Sequence, residues 1–198
     1  MMELNRIYNM DCLEYMKTLP DKCVDLCLTD PPYGIGISSN PVRQKHAKKD
    51  WDSSIPIDDI FKEIFRISKN QVIWGGNYFD LPKSQGFLIW DKKQPEAFSL
   101  AMCEYAYSSI QSPAKMFRYS VLKERGKQHP TQKPVKLGEW ILEKYAKEGD
   151  IIFDPFLGSG TFAVASQNLG FDYIGCELDK DYFEIAQERL GYVKQRLF

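Results

Sequence analysis

The chain has no long apolar run, and its opening residues, Met1-Met2-Glu3-Leu4-Asn5-Arg6, lack the apolar core of a secretion signal. Neither a membrane-spanning helix nor export is expected. Histidine is scarce, with only His46 and His129, which leaves little imidazole for a metal centre. The five cysteines, Cys12, Cys23, Cys27, Cys103 and Cys176, are odd in number and form no Cys-x-x-Cys pair. A disulfide framework or zinc site is therefore not expected, and reduced thiols in a cytoplasmic protein are the economical reading. Net charge is also small: 26 Lys plus Arg against 27 Asp plus Glu leave a formal −1, so no overall field advertises a polyanionic partner. What is present is ordinary for a folded protein. The 198 residues, 43% hydrophobic and 27% charged, suffice for one domain with a sizeable core and argue against disorder.

The charges are unevenly placed. Arg43, Lys45, Lys48 and Lys49 fall between Val42 and Lys49 without an acid. From Lys115 to Lys133 run Lys115, Arg118, Lys123, Arg125, Lys127 and Lys133 against Glu124 alone. Each run suits a phosphate footprint as readily as a solvated loop.

Strand and helix signals alternate along the chain. Arg6 to Tyr8 suit a short strand, and Asp11 caps a helix over about Cys12–Thr18 with Glu14 as capping-box partner. Val24–Leu28 is a strand, followed by a long polar loop to about Ser54. Ile57, Ile60, Phe61, Ile64 and Phe65 mark one helical face ahead of a strand at Gln71–Trp74. Further strands are expected at Gly86–Trp90, Cys103–Ser108 and Met116–Tyr119. Pro134 starts a helix with Leu137, Trp140, Ile141 and Tyr145 on one face. Then follow a strand at Ile151–Asp154, a helix at Thr161–Leu169, a strand at Tyr173–Glu177 and a last helix carrying Tyr182, Ile185 and Ala186 that stops before Gly191. This alternation predicts an α/β fold with a doubly wound, mostly parallel sheet.

Three segments carry chemistry. In the first, the strand at Val24–Leu28 runs into Thr29-Asp30-Pro31-Pro32-Tyr33-Gly34. Two prolines have fixed φ and no N–H, so the strand must end in a stiff turn. It presents a carboxylate, a carbonyl freed from the ladder and a flat ring, which together suit a planar amine. In the second, Ile151-Ile152-Phe153-Asp154 leads through Pro155-Phe156-Leu157 to Gly158-Ser159-Gly160-Thr161. A strand, a glycine turn and a helix are the arrangement of nucleotide cofactor sites, and Glu177 ends the next strand where an acid holds ribose hydroxyls. No Gly-Lys-Ser/Thr closes the turn, so it is not a P-loop, but nicotinamide and S-adenosylmethionine enzymes share the pattern. The third, His129-Pro130-Thr131-Gln132-Lys133-Pro134, gathers hydroxyl, imidazole and ammonium donors at a helix start, which suits a carboxylate.

In this order, Asp-Pro-Pro-Tyr, His-Pro-Thr-Gln-Lys-Pro and Asp-Pro-Phe-Leu-Gly-Ser-Gly-Thr resemble the permuted, beta-group DNA amino-methyltransferases over nearly the whole chain, from Asn9-Met10-Asp11-Cys12 to the final helix. The resemblance implies a Rossmann-like methyltransferase sheet with one antiparallel edge hairpin and a circularly permuted motif order. It implies one domain, with a catalytic half over about residues 1–110, a short basic recognition segment over about 111–128 and a cofactor half over about 129–198. The implied reaction moves a methyl group from S-adenosylmethionine, without a metal, to the N6 amine of a flipped-out adenine in DNA. Adenine is favoured over the N4 amine of cytosine because aspartate opens the motif.

By the same resemblance Asp30, Pro31, Pro32 and Tyr33 are catalytic. Asp154, Pro155, Phe156, Gly158, Ser159, Gly160 and Thr161 wrap the methionine part of the cofactor. Its carboxylate meets Thr161 or the segment holding His129, Thr131 and Lys133, its ribose meets Glu177, and Asp11 with Cys12 reach its adenine edge. For Asp11 a helix N-cap serves equally well. Arg43, Lys45, Lys48, Trp51, Arg118, Lys123, Arg125 and Lys127 are the expected DNA contacts, with Trp51 either a stacking surface or a core anchor. The resemblance also implies a link to restriction–modification, with a phage enzyme or a solitary regulator as the other settings it allows. Only about twenty residues separate Ser108 from His129, too few to read many base pairs. A very short site, a homodimer or a separate recognition partner is the expected remedy.

Overall fold

The computed structural model describes residues 2–32, 58–97, 101–120 and 132–196, with side chains of the last helix described as far as Gly191. Eight strands among these residues form one sheet: β1 (Arg6–Tyr8), β2 (Val24–Thr29), β3 (Ser68–Trp74), β4 (Gly86–Asp91), β5 (Cys103–Ser108), β6 (Lys115–Arg118), β7 (Ile151–Asp154) and β8 (Asp172–Cys176). Their spatial order is β1-β8-β7-β2-β3-β5-β4-β6. All neighbouring pairs are parallel except those of β5, which runs antiparallel to β3 on one side and β4 on the other. The expected hairpin is thus β4–β5, and β6 continues the sheet beyond it, parallel to β4.

Helices α1 (Cys12–Lys17) and α2 (Asp58–Ile67) and helices α3 (Val135–Tyr145), α4 (Thr161–Leu169) and α5 (Lys180–Arg196) belong to two separate apolar clusters. One joins Tyr15 and Met16 of α1 and Phe61, Ile64 and Ile67 of α2 with Cys27, Ile73, Phe153 and Ile174 of the sheet. The other joins Leu137 and Ile141 of α3, Phe162 and Ala165 of α4 and Ala186 of α5 with Leu26, Leu28, Val72 and Ile152. Alternate residues of one strand point to opposite faces, so Ile152 and Phe153 serve different clusters. α4 lies close to α3 because Gly138 leaves room: a Cβ there would stand 2.8 Å from that of Ala165.

Local chemistry accounts for most boundaries. Asp11 caps α1, its Oδ1 accepting from Leu13 N at 2.7 Å and Glu14 N at 3.3 Å. Glu14 turns its carboxylate to Lys17 Nζ at 3.2 Å, in place of the expected box. Pro134, expected inside α3, is its N-cap, a one-residue difference within the usual fraying of helix ends. α5 does not stop before Gly191 but runs to Arg196. One glycine costs a helix only about 1 kcal/mol, and Tyr182, Ala186 and Leu190 bury a continuous face just before it. Ile57 of the expected α2 face lies outside the described residues. No described helix is long and apolar enough to cross a membrane.

Candidate active site at the heads of β2 and β7

β2 is followed by α2 and then β3 on one side, whereas β7 is followed by α4 and then β8 on the other. The winding therefore reverses between β7 and β2, and the crevice outside the carboxyl ends of such strands is where open α/β sheets bind ligands. The two strands pair in parallel through Leu26↔Ile152 and Cys27↔Phe153, which brings Asp30, one residue past β2, close to Asp154, the last residue of β7. Thr29 Oγ1 donates to Asp154 Oδ1 at 2.7 Å, and Phe156 N donates to the same oxygen at 3.1 Å. Burial pushes the Asp154 carboxyl up to about 7; these two hydrogen bonds oppose the shift, and nearby Asp30 and Glu177 add to it.

The glycine loop follows directly. Gly158 and Gly160 have φ of 53° and 81°, a left-handed backbone that favours glycine. A Cβ on Gly160 would also lie 3.0 Å from that of Ala186. Glu177, just beyond β8, holds the loop from the other side: its Oε2 accepts from Gly158 N at 2.7 Å and its Oε1 from Asp179 N at 2.8 Å. Burial raises the Glu177 pKa above the ordinary carboxylate value. Ser159 is buried and Thr161 opens α4. Pro155 is buried, and Phe156 is half-buried against the α1–α2 cluster.

The described part of the third segment meets both others. Ser159 Oγ donates to Gln132 Oε1 at 3.3 Å and Thr161 Oγ1 to the Lys133 carbonyl at 3.4 Å. The Lys133 side chain is 3% exposed, and its Nζ donates to Asp30 Oδ2 at 2.5 Å and pairs with Glu104 Oε2 at 2.9 Å. Glu104 Oε1 in turn pairs with Lys92 Nζ at 2.5 Å. Burial pushes the Lys133 pKa down, but the Asp30 and Glu104 carboxylates outweigh this and hold it above the ordinary value. For Glu104 burial pushes upward, and Lys133 and Lys92 pull the pKa below normal. The ammonium also sits 5.7 Å from the Trp74 ring centre.

The structure thus brings together Asp30, Pro31, Lys133, Asp154, Gly158, Ser159, Gly160, Thr161 and Glu177. Asp11 and Cys12 lie at the head of β1, which is tied to the same edge by Asn9 Nδ2, donating to the carbonyls of Glu177 and Leu178 at 2.9 and 3.1 Å. Asp11 is the α1 cap, and Cys12 is buried, with its thiol pushed up to about 12 by burial and then by Asp11. Pro32 is half-buried beside Pro31. Arg118 stands apart on β6, 63% exposed and 3.6 Å from Asp91. Tyr33, Arg43, Lys45, Lys48, Trp51, Lys123, Arg125, Lys127, His129 and Thr131 lie outside the described residues. No group of three or more potential metal ligands occurs among the described residues.

Sequence reading missed several members. Arg189 of α5 donates through Nη1 to the Ser159 carbonyl at 2.5 Å, to Ser159 Oγ at 2.9 Å and to Thr161 Oγ1 at 3.4 Å. Its signal was helical spacing, because Arg189 falls on the face of Tyr182, Ala186 and Leu190. Glu104 also had a signal, as the one charged residue of the strand Cys-Glu-Tyr-Ala-Tyr-Ser. Thr29, Lys92 and Trp74 had none.

Comparison with known proteins bears on this edge. Residues 73–188 match a family profile of N6/N4 methyltransferases described as DNA methylase. YubD of Escherichia coli (strain K12), described as a methylase, is 28% identical over 98% of this chain and 93% of its own. Among solved structures, M1.HpyAVI in complex with S-adenosylmethionine is 23% identical, with a TM-score of 0.62 over 93% of this chain and 98% of that one. The cytosine-N4-specific PvuII DNA methyltransferase is 14% identical, with a TM-score of 0.67 over 96% and 89%. These structural likenesses establish the shared fold, and the profile, matching more than half of the residues and spanning the glycine loop, Lys133 and Glu177, establishes the lineage: the chain belongs to the N6/N4 DNA methylase family.

Proposed function

We propose that this protein transfers the methyl group of S-adenosylmethionine to the N6 amine of an adenine flipped out of DNA. The observation that carries the reading is the adjacency of β2 and β7, which sets the Asp30 turn beside the glycine loop at the switch point. The site suits the cofactor: the loop turns tightly at two left-handed glycines, and Glu177 is hydrogen-bonded to the first of them. Both Glu177 oxygens already accept backbone N–H groups, which fixes the carboxylate while leaving lone pairs for ribose hydroxyls. When bound, the cofactor supplies a methyl group on a positive sulfur, so the chemistry needs no metal.

The residues divide the remaining work. Asp154, Pro155, Phe156, Gly158, Ser159, Gly160 and Thr161 hold the methionine part, with His129 and Thr131 near its carboxylate and Asp11 and Cys12 at the adenine edge. Asp30 and the Pro31 carbonyl accept the two N–H groups of the target amine. Acceptance favours a pyramidal nitrogen whose lone pair, otherwise delocalised into the ring, points at the methyl carbon. Alignment of this kind supplies up to about 7–11 kcal/mol of a barrier. Tyr33 replaces the stacking that the base loses on leaving the duplex, and Trp51 offers a second surface. Pro32 stiffens the turn. Arg43, Lys45, Lys48, Arg118, Lys123, Arg125 and Lys127 grip phosphates, and a second copy or a separate partner supplies further recognition.

The test is to transfer labelled methyl groups to DNA, digest it to nucleosides and weigh the products. N6-methyladenine is expected. N4-methylcytosine would overturn the base assignment while keeping the family, an outcome that the fold shared with the cytosine-N4-specific PvuII enzyme makes the specific alternative.

A further inference from the structure

We propose that Lys133 and Glu104 are positioning residues for methyl transfer, holding the Asp30 carboxylate through a buried chain of charges that ends at Lys92; this rests on Asp30 being the acceptor of the target amine. Four segments converge to build the chain: the turn after β2, the residue two before α3, β5 and the residue after β4. Its links are 2.5 Å from Asp30 Oδ2 to Lys133 Nζ, 2.9 Å on to Glu104 Oε2 and 2.5 Å from Glu104 Oε1 to Lys92 Nζ. The Lys133 side chain is 3% exposed, against 14% for Lys92, 19% for Asp30 and 22% for Glu104, so the lysine is the buried centre of the chain and Asp30 keeps an accessible side.

Stability does not explain this arrangement well, because buried ion pairs are often matched or bettered by apolar packing of the same volume. A requirement on Asp30 does. Asp30, Asp154 and Glu177 bring three carboxyl groups to one end of the sheet, and Asp154 is pushed up first by burial and then by the other two. A lysine beside Asp30 offsets its charge and pins one of its oxygens in a fixed direction. Glu104 keeps that lysine from collapsing wholly onto Asp30, which would take the carboxylate away from the amine. Lys92 neutralises Glu104, and the four groups sum to zero charge.

The alternative for Lys133 is a direct contact to the cofactor's carboxylate, and the two roles separate experimentally. Single-turnover methyl transfer to DNA and the Kd of S-adenosylhomocysteine are measured for wild type, Lys133→Met, Lys133→Arg, Glu104→Gln and Asp30→Ala. The expected result is a loss in rate of about a hundredfold for Lys133→Met and tenfold for Glu104→Gln, with Kd within threefold of wild type in both and at least tenfold of the lost rate recovered by Lys133→Arg. A Kd that worsens as much as the rate makes Lys133 a cofactor ligand and overturns the proposal, as does a rate within threefold of wild type. Should Lys133→Met fail to fold, Glu104→Gln decides by the same two arms. A fully active Asp30→Ala defeats the underlying reading of the site; an inactive Asp30→Ala beside a fully active Lys133→Met defeats the positioning role alone.

Discussion

Replacing Asp154 with asparagine should flatten the pH dependence of stability. The carboxyl is buried at the head of β7, and its pKa is raised from 3.8 to about 7, first by burial and then by Asp30 and Glu177, against the hydrogen bonds from Thr29 and Phe156. A raised pKa means that the folded state holds this proton more tightly than the unfolded chain does. Its favourable contribution is complete below pH 3.8 and is lost as the pH rises through 7. At about 1.4 kcal/mol per pH unit, the loss between pH 5 and pH 8 amounts to about 2–3 kcal/mol. Asparagine keeps the shape, and its Oδ1 can still accept from Thr29 and Phe156, but it carries no charge. Urea unfolding of both proteins at the two pH values measures the effect. Glu104 and the more distant titrating groups are common to both, so the difference between the two slopes reports residue 154 together with its coupling to Asp30 and Glu177. Parallel slopes would refute the buried, reluctant carboxyl. In exchange for its added stability at pH 8, the variant should bind S-adenosylhomocysteine more weakly, as expected where a site tolerates a costly group for function.

Arg189→Ala removes all three contacts to the glycine loop and should raise the Kd for S-adenosylhomocysteine about tenfold; calorimetry checks this, and an unchanged Kd would leave the arginine a purely structural brace. Gly160→Ala places a Cβ 3.0 Å from that of Ala186 at φ 81° and should destabilise by about 1–2 kcal/mol in urea melts; a change below about 0.5 kcal/mol would show that the loop relaxes freely. Asp11→Ser keeps a capping oxygen, so stability should hold within about 0.5 kcal/mol while the Kd for S-adenosylhomocysteine rises about fivefold; an unchanged Kd would assign Asp11 to the cap alone. Arg118→Ala, on the exposed edge strand, should weaken binding to all DNA sequences similarly and lower the salt slope by about 0.9, whereas relaxed specificity at one base would mark it as a base reader.

The local architecture was legible because its signals are local. Asp11 before an apolar helix face, Gly170 after one, and the alternating or continuous apolar runs of β2, β7 and β8 each act within a few residues, and most observed elements start and stop within one or two positions of expectation, though β3 begins at Ser68, three residues before the expected Gln71. The exceptions have tertiary causes. Gly191 carries a stop signal worth about 1 kcal/mol, which a helix anchored by Ala186 and Leu190 overrides. Glu14 has the spacing of a capping box, but Lys17 one turn on competes for its carboxylate. β6 was readable only as a short apolar run, since its place beside β4 depends on a partner that becomes available once β5 has turned back.

The site was legible in its parts and not in its wiring. Asp30, Asp154, Gly158, Gly160 and Glu177 stand out because each occupies a strand end or turn that sequence marks, and the parallel pairing of β2 with β7 then brings them together. Lys133 illustrates the limit. Its segment announces donors suited to a carboxylate, and in the structure the carboxylate that its ammonium meets belongs to Asp30, 103 residues earlier. No spacing rule connects them, because the contact depends on the tertiary placement of the residues just ahead of α3 beside the turn that follows β2. Glu104 and Lys92 are further removed still, reached through Lys133 from a hairpin that shows no cofactor or target motif of its own. Motifs reveal the groups that face ligands, since those are bound to fixed chemistry at strand ends; the groups that aim them are set by packing, and here they appear only once the sheet order is known.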